Sequence, residues 1–183
     1  MTANVSLFAR LADAPVVPVL VVEDVAHAAP LADALAEGGL AAVEVTLRTA
    51  NALDVMREMK SAQPDLFVGA GTVTTPAHVD ACLSVGADFL VSPGLTPALV
   101  EAFSASGVPC MPGIASASEA MRAFDQGFAD LKFFPAEAAG GAPFLKAISA
   151  PLPHIRFMPT GGLTVSNLGD YLALDSVFAV GGS

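Results

Sequence analysis

The sequence predicts an α/β fold of the (β/α)8 barrel type, and three observations carry that expectation. Apolar, β-branched runs recur at a regular interval, starting near Val16, Ala42, Leu66, Asp88, Pro109, Asp130, Ile155 and Ser176. The segments between them are rich in Ala and Leu and carry helical periodicity. No break in composition divides the chain, so residues 1–183 read as one barrel domain. Barrels of this type typically take roughly 250 residues, so 183 implies minimal loops.

Each element has its own signal. Asn4 to Leu11 reads as a short extra helix ahead of the first strand. VVPVLVV (Val16 to Val22) is nearly continuous in apolar residues, as expected of a parallel strand covered on both faces. The loop after it, EDVAHA, has no glycine, which argues against a doubly wound open sheet, whose phosphate fingerprint falls at that point. Ala28, Leu31, Ala32 and Leu35 keep the spacing of a helix with one buried face, and Gly38-Gly39 ends it. The second run ends in EVTLRT, the third in GAGTV, the fourth in SPG and the fifth in MPG. Thr96, Ser118 and Thr164 mark expected N-cap regions of later helices, with Pro97 just inside the first. The sixth run is LKFFPAE, the seventh ends in PTGG and the eighth in GGS. The helix that would follow strand eight is missing from the chain, so the barrel is expected to be truncated there. Its loss would bare the outer faces of the first and last strands unless a neighbour covers them.

Composition narrows the function classes. Apolar content of 54% with 14% charged residues excludes disorder. No apolar run is long enough to cross a bilayer, and Met1 to Arg10 lacks an export signal pattern. Cys82 and Cys110 have no CxxC spacing and read as buried free thiols of a reducing cytoplasm. A net charge of -10 argues against nucleic acid and anionic membrane as partners. It also means that a site for an anion must be built locally.

In a barrel, chemistry gathers at the carboxyl ends of the strands, and the unusual residues fall there. The chain has only eight Lys and Arg, yet one of them, Lys132, sits between Leu131 and Phe133. Burial lowers a lysine's pKa, and a neutral amine can form a Schiff base with a carbonyl. The plain alternative is a strand lysine whose stem packs while its head reaches water. Glu44, between Val43 and Val45, should face the barrel interior, as an ion partner of Lys132, a proton shuttle, or both. Arg48 can hold a carboxylate by two hydrogen bonds or be a solvated loop residue. Thr72, after Gly69 and Gly71, can donate to the same carboxylate or cap a helix. Gly161-Gly162 and the pair Gly181-Gly182 with Ser183 follow the last two strands, where backbone N–H groups hold phosphate in phosphate-binding barrels. His27, His78 and His154 form no pair with metal spacing, so no metal site is expected.

Together these stretches resemble a known family. PVVPVLVV, EVTLRT, VGAGTV, SPGLT, PGI, KFFPAE, PTGG and GGS match, in order and spacing, the bacterial 2-dehydro-3-deoxy-6-phosphogluconate (KDPG) and 4-hydroxy-2-oxoglutarate (KHG) aldolases. The resemblance implies a cofactor-free class I aldolase of the Entner–Doudoroff route, cleaving the phosphogluconate derivative to pyruvate and glyceraldehyde 3-phosphate. It also allows cleavage of 4-hydroxy-2-oxoglutarate to pyruvate and glyoxylate. By that likeness Lys132 forms the Schiff base and Glu44 shuttles protons through water. Arg48 and Thr72 hold the pyruvate carboxylate with Thr160 nearby, and Phe134 and Pro93 line the pocket. Gly161, Gly162, Gly182 and Ser183 meet the phosphate. The assembly implied is a cytoplasmic homotrimer. One departure is the lack of a first-strand arginine, where this chain has Val16-Val17, and it implies a weaker phosphate grip. The alternatives are a phosphate-binding barrel isomerase or epimerase, which would not need Lys132 as a nucleophile, and a silent barrel serving as an assembly subunit.

Overall fold

The computed structural model describes Leu11 and residues 14–183. The helix expected over Asn4 to Leu11 lies outside the described residues save for Leu11 itself, which is buried. Strands and helices alternate along the rest. The strands are β1 (Val16–Leu20), β2 (Ala42–Thr46), β3 (Phe67–Gly71), β4 (Leu90–Val91), β5 (Cys110–Met111), β6 (Gly113–Ile114), β7 (Asp130–Phe133), β8 (Arg156–Pro159) and β9 (Val180–Gly182). The helices are α1 (Ala28–Glu37), α2 (Ala52–Ala62), α3 (Pro76–Ser84), α4 (Pro97–Ala105), α5 (Ala117–Asp125), α6 (Gly141–Ser149) and α7 (Leu168–Leu172).

All named strand pairings are parallel. One curled sheet has the order β5-β4-β3-β2-β1-β9, and a second has β6-β7-β8. The fifth expected run is therefore two short strands, cut at Pro112. Proline has no N–H to give a ladder; its carbonyl accepts from Lys132 N at 3.0 Å. The chain passes from one sheet to the other at that residue. On the far side, bridges Phe157–Val177 and Thr160–Gly181 link β8 to the last strand region. That last strand starts later than expected, because the Val177 N–H closes a turn on Leu174 O.

The pleat sorts side chains between faces. Val43 and Val45 of β2 pack outward with Ala28, Ala32, Val55, Met56 and Met59 of α1 and α2. Leu131 and Phe133 of β7 pack with Ala120, Ala123, Leu145 and Tyr171 of α5, α6 and α7. On the concave side Leu11, Val17, Ala42, Phe89, Val91, Met111, Met158 and Ala179 form a separate apolar floor. Glu44 stands two residues beyond Ala42, and Thr160 two beyond Met158, so both continue the concave face one layer above that floor.

Helix starts follow local hydrogen-bond chemistry. Thr96 Oγ1 accepts from Leu99 N, with Pro97 at the first position, as expected. The cap of α5 is Ser116 rather than Ser118: Ser116 Oγ accepts from Glu119 N, while Glu119 Oε2 accepts from Ala115 N and Ser116 Oγ. That reciprocal pairing serves two otherwise unpaired groups, which Ser118, already inside the first turn, could not do. Thr164 does not cap α7; its N–H donates to Asn167 Oδ1 at 2.7 Å in the turn before the helix. Among the described residues no helix is long and apolar enough to cross a membrane.

Candidate active site

The register of β2 and β7 delivers two ionisable side chains to one buried spot. Lys132 Nζ donates to Glu44 Oε1 at 3.2 Å, although the residues are 88 positions apart. Glu44 is 0% exposed and Lys132 6%, so the snorkelling alternative does not describe this lysine. The Phe134 ring lies below the amine, its centroid 5.2 Å from Nζ. Burial raises the Glu44 pKa above its ordinary range, against the lowering effect of Lys132's charge and hydrogen bond. Glu44 Oε2 is buried and has no hydrogen-bond partner among the described residues. A carboxylate oxygen left without a donor is costly as an anion, in keeping with that direction. A carboxyl so perturbed holds a proton more readily than usual and can exchange one with the amine it touches.

Gly71 makes room for this pair. A Cβ there would lie 2.0 Å from Glu44 Oε1, well inside van der Waals contact. The sequence hinted at this through GAGTV, but nothing in it says which side chain needs the space.

Arg48 and Thr72 occupy neighbouring strand exits. Arg48 is exposed just beyond β2, and its guanidinium makes no ion pair among the described residues. Thr72 follows β3 with φ +60°, a left-handed conformation uncommon for a residue with a β-branched side chain. Its surroundings hold it there: Leu47 N donates to Gly71 O at 2.9 Å and Val73 N to Val91 O at 3.1 Å. Such conformations cost about 1–3 kcal/mol and persist where neighbours over-determine them, often at functional sites.

The two glycine pairs meet at the opposite side through the Thr160–Gly181 bridge, but Gly181 and Gly182 fall within β9 rather than after it, because they pair with Val17 and Pro18 of β1. Thr160 is buried, and its N–H donates to Phe133 O at 2.9 Å, tying the end of β8 to the lysine-bearing strand. Gly161 and Gly162 follow it with φ +102° and +81°. Gly182 pairs with Pro18 of β1, and Ser183 beyond it is exposed. Val17 belongs to the apolar floor and Val16 pairs with Val180. An arginine at either place would stand low on the strand; the exposed residue just past the carboxyl end of β1 is Val21.

A cavity of about 630 Å³ opens nearby, lined by α4 and α5. Pro93 and Phe134 belong to its wall, whereas Lys132 and Glu44 do not. Its charged lining is Glu101, Glu119 and Asp125 against Arg122, a poor receptor for an anion. Phe134 is thus shared between this cavity and the lysine, while Pro93 stands in the cavity. The cysteines lie away from the pair: Cys82 is buried and Cys110 half-buried, and burial pushes both thiols up to about 11. Two residues of the site region carried no earlier assignment. Glu137, the last letter of KFFPAE, accepts a hydrogen bond from Tyr171 Oη, and it packs against the Gly162 turn. Its place in that motif was the available signal; Tyr171 had none.

A lysine and a glutamate buried in contact above the floor of a curled parallel sheet are the groups that lysine-dependent carbonyl chemistry uses. The chain belongs to the KDPG and KHG aldolase family, whose sequence pattern matches residues 7–183. It is 50% identical over 169 residues to the 2-dehydro-3-deoxy-phosphogluconate aldolase of Pseudoalteromonas atlantica, spanning 92% of this chain and 79% of that protein. Its fold superposes with TM-score 0.92 on the KDPG aldolase of Legionella pneumophila, solved with pyruvate captured as a covalent carbinolamine. That match has 45% identity and covers 96% of this chain and 85% of that one. The Zymomonas mobilis enzyme with 3-phosphoglycerate gives TM-score 0.93 at 44% identity, over 100% of this chain and 86% of that one.

Proposed function

We propose that this chain is a class I aldolase that cleaves 2-dehydro-3-deoxy-6-phosphogluconate to pyruvate and glyceraldehyde 3-phosphate, with 4-hydroxy-2-oxoglutarate as a second substrate. The observation that carries this reading is the buried 3.2 Å contact between Lys132 and Glu44 in a member of this family. The unprotonated Lys132 amine attacks the C2 carbonyl, and the carbinolamine loses water to give a protonated imine. Glu44, through water, takes the C4 hydroxyl proton; the C3–C4 bond breaks and its electrons move into the imine. Glyceraldehyde 3-phosphate leaves, the enamine is protonated at C3, and hydrolysis frees pyruvate and the lysine. The imine is the electron sink, so this route needs no cofactor.

Family membership and position at the strand exits support the remaining roles. Arg48 and Thr72 hold the pyruvate carboxylate, with Thr160 beside it. Phe134 forms the apolar wall under the imine, and Pro93 closes the side toward the neighbouring cavity. The N–H groups of Gly161, Gly162, Gly182 and Ser183 meet the phosphate. The bridges between β8 and the last strand, and the passage through Pro112, support closure of the two sheets into one eight-stranded (β/α)8 barrel formed by residues 1–183. A cytoplasmic homotrimer is the assembly that family membership supports. Trapping tests the function directly. The protein is incubated with pyruvate, reduced with borohydride and digested. A reduced pyruvate adduct on the Lys132 peptide is expected; an unmodified peptide from folded protein would overturn the assignment.

One mutation tests the geometry behind it. Gly71→Ala forces a methyl group into the place of Glu44 Oε1. Misplacement by about 1 Å costs on the order of 100-fold in rate, and overpacking costs roughly 1–3 kcal/mol in stability. Steady-state cleavage assays and thermal melts are expected to show both losses in the same variant.

A further inference from the structure

We propose that Glu137 and Tyr171 form a positioning latch for the Gly161–Gly162 turn, and that this latch sets affinity for the phosphate end of the substrate rather than the rate of bond cleavage. The inference rests on the aldolase reading for its substrate, but its geometry stands independently. The turn has two glycines in succession, both in the left-handed region. It has no side chains to offer an anion, so only the orientation of its backbone can serve one. Glycine loses more freedom on ordering than any other residue. A receptor built from it binds well only if something else holds it in shape beforehand.

The structure supplies holders on both sides. Asn167 Nδ2 donates to Gly162 O at 3.2 Å, and Asn167 Oδ1 accepts from Thr164 N. Across the turn, Glu137 N donates to Gly161 O at 3.1 Å and Ala136 N to Thr160 O at 2.8 Å. The Glu137 side chain then lies flat against the glycine: a Cβ at Gly162 would come within 2.8 Å of Glu137 Cβ and Cγ. The carboxylate end is fixed by the Tyr171 hydroxyl, which donates to Oε1. Tyr171 is 1% exposed, with its ring in the core formed by α5, α6 and α7. Glu137 Oε1 also sits 3.5 Å from where a Cβ on Gly141 would be, at the start of α6, where a helix favours negative charge. An otherwise exposed glutamate is thereby clamped between a buried phenol, a helix start and the turn. Nothing in the bond-cleaving steps requires this carboxylate, so its effect belongs to the turn.

The test compares two substrates and one non-reacting probe. Tyr171→Phe and Glu137→Ala are expected to raise KM for the phosphorylated 2-oxo acid about tenfold, the scale of one charge-assisted hydrogen bond, with kcat within twofold. Glu137→Gln keeps an oxygen for the phenol and is expected to recover most of the affinity. 4-Hydroxy-2-oxoglutarate lacks the phosphate and ends one carbon past its hydroxyl in a carboxylate, too short to span to a phosphate receptor, so its kcat/KM is expected to stay within twofold. Calorimetric Kd for glycerol 3-phosphate, read without turnover, should weaken in parallel with KM. Equal losses on both substrates, or an unchanged Kd for the probe, would overturn the latch. Glu137 is exposed, so its variants keep the test open should Tyr171→Phe fail to fold. If the parent cleaved neither substrate yet bound the probe in a Glu137-dependent way, the aldolase reading would fall and the latch would stand.

Discussion

Lys132→Ala is expected to lower kcat/KM for aldol cleavage by roughly four orders of magnitude or more, the scale of losing a covalent nucleophile. Without the amine there is no imine, and the electrons of the breaking C3–C4 bond have nowhere to go. No other described lysine can substitute. Lys60 is paired with Asp88 at 2.6 Å near the amino end of β3, where Asp88 also accepts from Val68 N, and Lys146 lies near the end of α6. Lys132→Arg should fail equally, since a guanidinium stays charged and is not a nucleophile. The fold should survive the alanine change, because burial already pushes the Glu44 pKa up, so the carboxyl can take up a proton when its charged partner is removed. Circular dichroism and a cleavage assay on the same sample check both statements, and the borohydride adduct should vanish. Retained cleavage in folded Lys132→Ala protein would end the class I mechanism for this chain.

Glu44→Gln is the second large effect. Removing a positioned general acid–base group costs about 10²–10⁴-fold in rate, so kcat should fall by that order while pyruvate still forms some adduct on Lys132. Adduct formation with slowed turnover separates proton transfer from nucleophilic attack. Glu44→Ala goes further. It strands a buried amine without an acceptor, and breaking a buried pair costs about 3–5 kcal/mol. Denaturant melts should place its stability well below that of Glu44→Gln, which keeps an amide oxygen where Glu44 Oε1 now accepts from Lys132.

The same residue sets a pH dependence. Burial holds the folded pKa of Glu44 above its ordinary 4.5, so the folded chain binds that proton more tightly than the unfolded chain does. The stabilisation is full below about pH 4.5 and is lost as pH rises through the folded value. Glutamine carries no such proton. From pH 4.5 upward, Glu44→Gln is therefore expected to lose less stability per pH unit than the parent. Parallel slopes in urea melts across that range would show that Glu44 is not perturbed.

Much of the arrangement was legible in the residues. AVEVT alternates, so Glu44 had to face opposite to Val43 and Val45; DLKF does the same for Lys132 between Leu131 and Phe133. Thr96-Pro97 announced a helix start, and Gly38-Gly39 a helix end. These are local signals, set by a strand's period of two and by capping chemistry within a few residues. The cut at Pro112 was present as a letter, yet the number of strands it would produce depended on which neighbours each half paired with. Ser116 could have been told from Ser118 by its Glu119 three residues on, the capping-box spacing that the structure then forms.

The sequence by itself determined the order of elements, the face each strand shows to the floor or to the helices, and the residue types available for carbonyl chemistry. Only the tertiary structure decided that Lys132 and Glu44 would touch, that Gly71 must stay bare beneath the carboxylate, and that Glu137 and Tyr171 would clasp the glycine turn. Periodicity acts between residues a few places apart along one strand or helix. Contacts between distant segments depend on sheet curvature and on how helices seat against it, and those follow from the packing of the whole chain at once.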